Sequence, residues 1–452
     1  MPHFRDPIHG FIYVSHEEQK IIDSAPFQRL RNIRQLATTY LVYHGAEHTR
    51  FGHSIGVMHL ADRTFSSVAS KTPRLFDSDD KLNTAKITWY KQILRLIALT
   101  HDLGHPAFSH AGEDLMPEGR KHEHYTERII KETSISEIIS EIGKDLHMRL
   151  ATELGISEDL LINAHNIRPI TPDLLWMIYG EKPDITNNNY IWPDFVFLKA
   201  FMDGELDCDK MDYLLRDSYY CGVTYGTYDL NRFVSTLIAH KNESENTLHL
   251  AITSGGIQAF EEFVLARYFM FIQVYFQRTR RYFDHILTKA MREVLDGGKL
   301  PEDVYDYIKL DDVSMIQRMK NANSPNAIRY INREVMSCLY SSPAHASRME
   351  YENIKLRMQL LQKDFPGIAF HLDSVDKLAH KLLPTKYSRD TDSNDVLLVI
   401  DHHTGEAKNI ADESLILEGV IKAIYICRIY TDAKDDVLEA ISNSFKQNGG
   451  QT

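Results

Sequence analysis

The stretch Ile93-Leu94-Arg95-Leu96-Ile97-Ala98-Leu99 is apolar nearly all round a helix, and His101-Asp102 follows it almost at once. A helix with so little polar surface has to be buried on every side, so its C-terminal end, and the pair with it, belongs in the middle of the molecule. Neighbouring residues on a regular helix point about 100° apart. His101 and Asp102 can therefore share one metal only where the helix stops, and Gly104 is placed to stop it. The expectation is a helical bundle built around an internal site.

Helical periodicity continues elsewhere. Apolar positions three or four apart predict helices over residues 55–69, 89–103, 125–146 and 260–295. Loops are expected over 72–84, rich in Asp, Ser and Pro, and over 181–189, where Pro183 precedes three asparagines. A polar Ser/Asp/Thr run over 385–394 changes the texture of the chain, and beyond it residues 396–400 and 422–427 read as strands and 435–445 as a helix. The predicted fold class is mainly α, with a helical core over 1–385 and a small C-terminal α/β lobe over 386–452. In that lobe Asp401-His402-His403 matches a tripeptide found in metal phosphoesterases. Thr404-Gly405 follows directly and marks a hairpin turn, so a polar strand end is the better reading.

Composition narrows the partners. A net charge of -12 argues against broad electrostatic binding of nucleic acid, so an anionic substrate must be drawn by a local cluster of cations or by a metal in a pocket. The cysteines, Cys208, Cys221, Cys338 and Cys427, are scattered without Cys-x-x-Cys spacing, which removes both a disulfide framework and a thiolate zinc site. The first residues, Met1-Pro2-His3-Phe4-Arg5-Asp6, carry no apolar signal segment, and the longest apolar stretches fall short of a membrane span. A cytoplasmic protein without membrane contact is expected.

Two further segments carry metal-ligand chemistry. His53 stands at the start of a periodic helix, in His48-Thr49-Arg50-Phe51-Gly52-His53, and Asp209 stands in Asp207-Cys208-Asp209-Lys210-Met211-Asp212-Tyr213. Taken singly, His53 could be a core histidine bonded to backbone, and Asp207 or Asp209 a helix cap. Together with His101 and Asp102 they make a mixed nitrogen and oxygen site suited to Mg, Mn, Fe, Ni or Zn. Asp209, Tyr213 and Asp217 recur at four-residue spacing and so form one stripe along a helix face. Buried, such a stripe needs polar partners, and a sugar hydroxyl could supply them; the alternative is a solvated polar face.

These residues resemble the HD-domain deoxynucleoside triphosphate triphosphohydrolases. The likeness lies in His53, His101-Asp102 and Asp209, in Gly104-His105-Pro106-Ala107-Phe108-Ser109-His110, and in Asp6-Pro7-Ile8-His9-Gly10, Phe27-Gln28-Arg29-Leu30-Arg31, Gln35-Leu36 and the segment 275–284. It implies an all-helical HD-domain bundle with a divalent metal that removes the whole triphosphate from a dNTP. On that likeness Arg50, Lys210 and Arg278 are phosphate contacts, Gln35 and Leu36 sugar contacts, Tyr213 and Asp217 readers of the 3'-hydroxyl, and Tyr275 a gate at the sugar face. His110 matches the catalytic histidine that protonates the departing 5'-oxygen, with Glu113 and His122-Glu123 around it. His105 either orients water or phosphate or supports the His-Asp pair. Glu113 stands where the family has aspartate, and Phe276 where it has glutamine.

The resemblance further implies a homo-oligomer, often a tetramer, activated by nucleotide. Asp23, Gln28 and Arg31 match residues that read an activating guanine of the dGTP type, whereas Pro2, Thr253 and Gly255 stand where activated members carry basic residues. Rival readings are another metal phosphohydrolase, such as a nucleotidase or phosphodiesterase, and a nucleotide sensor without turnover.

Overall fold

The computed structural model describes residues 2–180, 193–242, 247–382, 396–401, 403–420 and 422–447. Its centre is the helix Asp80–Thr100, in which Trp89, Ile93, Leu96 and Leu99 are each at most 1% exposed. Each side chain of this size stabilises the fold by about 1.5–3 kcal/mol when fully buried. The helix Arg50–Lys71 packs along it, and the helix Cys208–Cys221 packs against Arg50–Lys71 in turn. His53 in the first turn of one helix, His101 at the end of the next and Asp209 in the first turn of the third are thereby brought to one point.

Helix ends follow local chemistry that periodicity does not register. Asp79 caps the central helix by accepting from the Leu82 amide at 2.9 Å, so the helix begins at Asp80 and the expected loop over 72–84 is confined to 72–79. The helix expected over 125–146 is two, His122–Glu132 and Ser134–Leu154, because Thr133 leaves helical geometry and caps the second. The helix expected over 260–295 is also divided. Ile257–Met270 ends in a π-turn over Phe271–Tyr275, and Gln277 caps Arg278–Val294.

Gly104 acts differently from the expectation. The central helix ends at Thr100, and Gly104 is not among the residues with positive φ. A Cβ there would lie 2.0 Å from the carbonyl oxygen of His122 and 2.3 Å from the amide nitrogen of Thr126. Close approach of the next helix, rather than a left-handed turn, requires glycine here.

A second apolar cluster, including Phe283, Leu287, Met315 and Tyr330, joins the helices Arg278–Val294, Asp312–Asn321 and Pro325–Ile331. Ala107 and Phe108 of the loop behind His101-Asp102 are part of it.

Strands β1 (His3–Asp6) and β2 (Gly10–Tyr13) form an N-terminal hairpin. The others are β3 (Leu237–Asn242), β4 (Thr247–Thr253), β5 (Ser337–Ser341), β6 (Phe370–Lys377), β7 (Leu398–Ile400), β8 (Ala407–Asn409) and β9 (Ile424–Thr431). They assemble as β3-β4-β7-β8 and as β5-β9-β6. Strands β7 and β9 and the helix Asp435–Gln447 occupy the predicted C-terminal α/β positions. They do not form a lobe from residue 386 onward by themselves: β7 pairs in parallel with β4, and β9 is flanked by β5 and β6. A strand satisfies its backbone through neighbours on both edges, and those neighbours come from earlier in the chain. The expected boundary at 385/386, the polar run over 385–394 and the loop over 181–189 lie outside the described residues. At the β7–β8 turn, Asp401 accepts from the amides of His403 and Thr404 at 2.9 and 2.8 Å, and Gly405 has φ +72°, as a hairpin turn requires. His402 is also outside the described residues.

Candidate active site and metal centre

His53 is fixed from behind. Its Nδ1 lies 2.8 Å from Asp212 Oδ2, which leaves Nε2 facing Asp209 Oδ1 at 2.9 Å and Asp102 Oδ2 at 3.6 Å. Asp212 also accepts from Arg216 Nε at 2.7 Å and Nη2 at 2.9 Å and pairs with His9 Nε2 at 2.7 Å, while Arg216 Nη1 reaches Asp6 Oδ2 at 2.9 Å. Asp6 and His9, from the Asp-Pro-Ile-His-Gly segment, thus act at one remove from the centre. Gly56 leaves room for this network, since a Cβ there would lie 2.1 Å from Asp212 Oδ1 and 2.3 Å from Arg216 Nη2.

His101 donates from Nδ1 to the Ala98 carbonyl at 2.7 Å, a bond that turns Nε2 towards Asp102 Oδ1 at 3.4 Å and Asp209 Oδ1 at 3.8 Å. Neither His53 Nε2 nor His101 Nε2 makes an aligned hydrogen bond, although both are buried. The short His53–Asp209 separation is therefore two donor atoms converging on a common point. Burial disfavours a charged His53, yet the carboxylates of Asp209, Asp212 and Asp102 outweigh it and raise the imidazole to about 10. Carboxylate oxygens converging on two buried imidazole nitrogens without aligned hydrogen bonds fit a divalent cation. His53, His101 and Asp102 form a cluster able to hold one.

Arg50 lies against the same centre, with Nη1 2.6 Å from Asp102 Oδ2 and Nε donating to Ser109 Oγ at 2.8 Å. Ser109 and Phe108 have φ of 53° and 59°, a left-handed conformation that costs roughly 1–2 kcal/mol per non-glycine residue. Asp312 restrains this loop. Its carboxylate accepts from the Phe108 amide at 2.6 Å and from the Arg34 amide at 3.0 Å.

Beyond the loop lies a second cluster. Glu113 Oε1 is 2.6 Å from His122 Nδ1, 3.1 Å from His110 Nδ1 and 3.8 Å from His105 Nδ1. The His105 ring stacks on His122 at 3.8 Å, and its Nε2 lies 3.3 Å from Asp102 Oδ1. Burial, then Arg50 and His122, hold His105 well below its usual range and keep it neutral. Burial opposes ionisation of Glu113, but the hydrogen bonds of His110 and His122 prevail and hold the carboxyl far down. His110 itself is exposed, so this arrangement presents one accessible imidazole backed by a carboxylate. Glu123 Oε2 lies 3.5 Å from His122 Nδ1.

Asp217, two turns along the helix from Asp209, accepts from Tyr275 Oη at 2.7 Å and pairs with His48 Nε2 at 2.8 Å. Tyr213 meets Tyr275 edge-on at 6.3 Å. Gln35 is buried with Oε1 unpartnered, and Leu36 is buried beside it in sequence. His48, which no sequence pattern marks, is held by a ring stack on Tyr220 at 4.6 Å and by backbone pairing of its carbonyl with the Gln35 amide at 3.0 Å.

The expected cations divide. Lys210 donates to the Gly204 carbonyl at 2.7 Å and pairs with Asp207. Arg278 is exposed; its charge is felt at Cys338 on β5, and its carbonyl accepts from Tyr430 Oη at 2.7 Å. Arg267, in the last turn of Ile257–Met270, is buried and interacts with Tyr213 and Lys210 instead. Periodicity gave no sign of it, because an arginine on a helix that also carries Gln258, Glu261 and Glu262 reads as a surface position. Asp23 is exposed and accepts from Gln19 at 2.8 Å, while Gln28 accepts from Arg31 at 2.8 Å and Arg31 lies 3.5 Å over the Phe51 ring.

Two family models match the chain, the HD domain over residues 50–175 and the HD associated region over residues 228–360. This chain is an HD-domain protein. The domain match begins three residues before His53 and takes in His101, Asp102 and the whole Glu113 cluster, and together the two matches cover more than half of the chain. Metal dependence accords with the donor set at His53, His101 and Asp102.

Among curated proteins, the uncharacterised YwfO of Bacillus subtilis is 29% identical over 366 residues, 75% of this chain and 72% of YwfO. The deoxynucleoside triphosphate triphosphohydrolase SAMHD1 of Danio rerio is 31% identical over 237 residues, which are 51% of this chain and 35% of that enzyme. Several other relatives are spanned over about half their length. The crystal structure of a hypothetical protein from Aquifex aeolicus matches with a TM-score of 0.71 and 29% identity, covering 98% of this chain and 99% of that one. The fold is that of the HD-superfamily phosphohydrolases. No helix among the described residues is long and apolar enough to cross a membrane.

Proposed function

We propose that this HD-domain protein hydrolyses deoxynucleoside triphosphates to a deoxynucleoside and inorganic triphosphate. One observation carries the reading: Asp209, Tyr213 and Asp217 share a face of the helix Cys208–Cys221, with Asp209 at the His53–His101 centre and Asp217 bonded to Tyr275. One metal donor and a pair suited to a sugar hydroxyl thus stand on one rigid element. The likeness to SAMHD1 supports it.

A divalent cation held by His53, His101, Asp102 and Asp209 would supply Lewis acidity and acidify water. The protein's own groups do the rest. Lys210 and Arg267 offset charge on the phosphoryl oxygens, and Arg50 holds Asp102 in place. Asp217, held by Tyr275 and His48, accepts from the 3'-hydroxyl with its remaining lone pairs. His110 Nε2 delivers a proton to the departing 5'-oxygen, and Glu113, on Nδ1, stabilises the imidazolium before transfer. Neutral His105, with the His122 ring stacked on it, lines the path to Asp102.

The reading extends to a homotetramer in the cytoplasm, activated by a dGTP-type nucleotide at Asp23, Gln28 and Arg31, on the family likeness. The test is to incubate the protein with each dNTP and with Mg, Mn, Fe, Ni or Zn and identify every product. Inorganic triphosphate supports the reading; monophosphate with pyrophosphate, or phosphate alone, replaces it with a nucleotidase or phosphodiesterase. Nucleotide-dependent change of mass without product would indicate a sensor, and unchanged turnover of a non-guanine dNTP on adding dGTP would remove the activator.

A further inference from the structure

Strand β6 ends at Lys377, and the strap after it is tied to the wall that holds the phosphate cations. The Ala379 carbonyl accepts from Arg267 Nη1 at 2.5 Å, the Lys381 amide donates to Glu205 Oε1 at 3.0 Å, and Glu205 lies 3.9 Å from Arg267. Residues two apart on a strand share a face. Lys377 therefore faces the same way as Val375, which packs with Phe271 and Phe276 beside Tyr275. Arg267 is 8% exposed, yet its Nε has no hydrogen-bond partner. A buried guanidinium with a free donor is unsatisfied until a ligand reaches it.

We infer that Lys377 and Lys381, carried by this strap from the C-terminal sheet, join Lys210 and Arg267 to hold the terminal phosphates of a polyphosphate substrate. The inference rests on the proposed reaction, whose triphosphate carries more charge than Lys210 and Arg267, themselves beside Asp207 and Glu205, would neutralise. Lys377 and Lys381 are exposed, and partial desolvation, then the charges of Arg267, Lys210 and Lys381, lower the Lys377 ammonium, with Glu113 acting the other way. Asp207 offsets Lys210 and Glu205 lies beside Arg267, so the two lysines of the strap add positive charge that an anionic ligand would neutralise. The sheet would thus set the length of phosphate chain accepted, while the helical core supplies the chemistry.

The probe is inorganic tripolyphosphate, titrated calorimetrically into the Mn-loaded protein beside orthophosphate. The parent should bind tripolyphosphate in preference to orthophosphate. Lys377→Ala with Lys381→Ala should weaken tripolyphosphate roughly tenfold or more, Lys377→Arg should retain it, and Mn affinity should not move. Equal affinity in parent and double variant, or no preference for tripolyphosphate in the parent, overturns the inference. Failure of the reaction itself is distinguishable: a parent that binds tripolyphosphate through these lysines but releases pyrophosphate from dNTPs keeps the strap and loses the triphosphohydrolase.

Discussion

The carboxylate of Asp212 lies 2.8 Å from Nδ1 of His53 and is itself clamped by Arg216 and His9. The imidazole is thereby oriented by a residue that never faces the donor cluster, and the N-terminal hairpin takes part through Asp6 and His9. Asp212→Asn should lower Mn affinity about 10- to 100-fold. It should also lower the unfolding midpoint, because Arg216 loses a buried ionised partner. Calorimetric titration with Mn beside a thermal melt checks both, and undiminished affinity would exclude Asp212 from positioning His53.

Substitution of the exposed imidazole should separate chemistry from metal binding. His110→Ala should keep metal content and lose roughly 10²–10⁴ in kcat. Glu113→Gln should fall in the same direction by less, since His110 persists without its carboxylate. Metal analysis with steady-state rates measures this; turnover unchanged in His110→Ala would leave the proton donor elsewhere.

Arg267 and Arg278 offer a direct contrast. Arg278→Ala should change kcat/KM less than about twofold, whereas Arg267→Ala should raise KM at least about tenfold, as loss of a charge-assisted phosphate contact does. Kinetics on both variants, with melting curves to show that each is folded, decide the assignment. Equal losses would mean that Arg278 swings into the pocket when substrate binds.

Asp312 predicts a pH-dependent stability. Burial raises its carboxyl from 3.8 to about 6 against the pull of the Arg34 and Phe108 amides. A raised acid favours the folded state when protonated, so its contribution is complete below about pH 4 and lost as pH climbs through about 6, a difference of about 3 kcal/mol. Urea unfolding from pH 4 to 7 should show this slope in the parent and lack it in Asp312→Asn. Parallel profiles would show that Asp312 titrates normally.

Several features could be read from residues alone. The apolar circumference of Ile93–Leu99 required a buried helix with His101-Asp102 at its end, and four-residue spacing put Asp209, Tyr213 and Asp217 on one face. These are consequences of helical geometry acting over a few turns, and the sequence expresses them locally. Breaks at Thr133 and Phe271–Tyr275 escaped, because a cap or a π-turn alters few side chains and leaves the apolar period intact.

Other features depended on which segments meet. Nothing near His53 in sequence announces Asp212, nothing marks Arg267 over Arg278, and β9 finds β5 and β6 only in the assembled sheet. The chain by itself determined the chemical kinds of donor and the helices that carry them. Tertiary packing decided their partners, since hydrogen bonds and charge contacts act over a few ångströms while the groups that make them can stand two hundred residues or more apart.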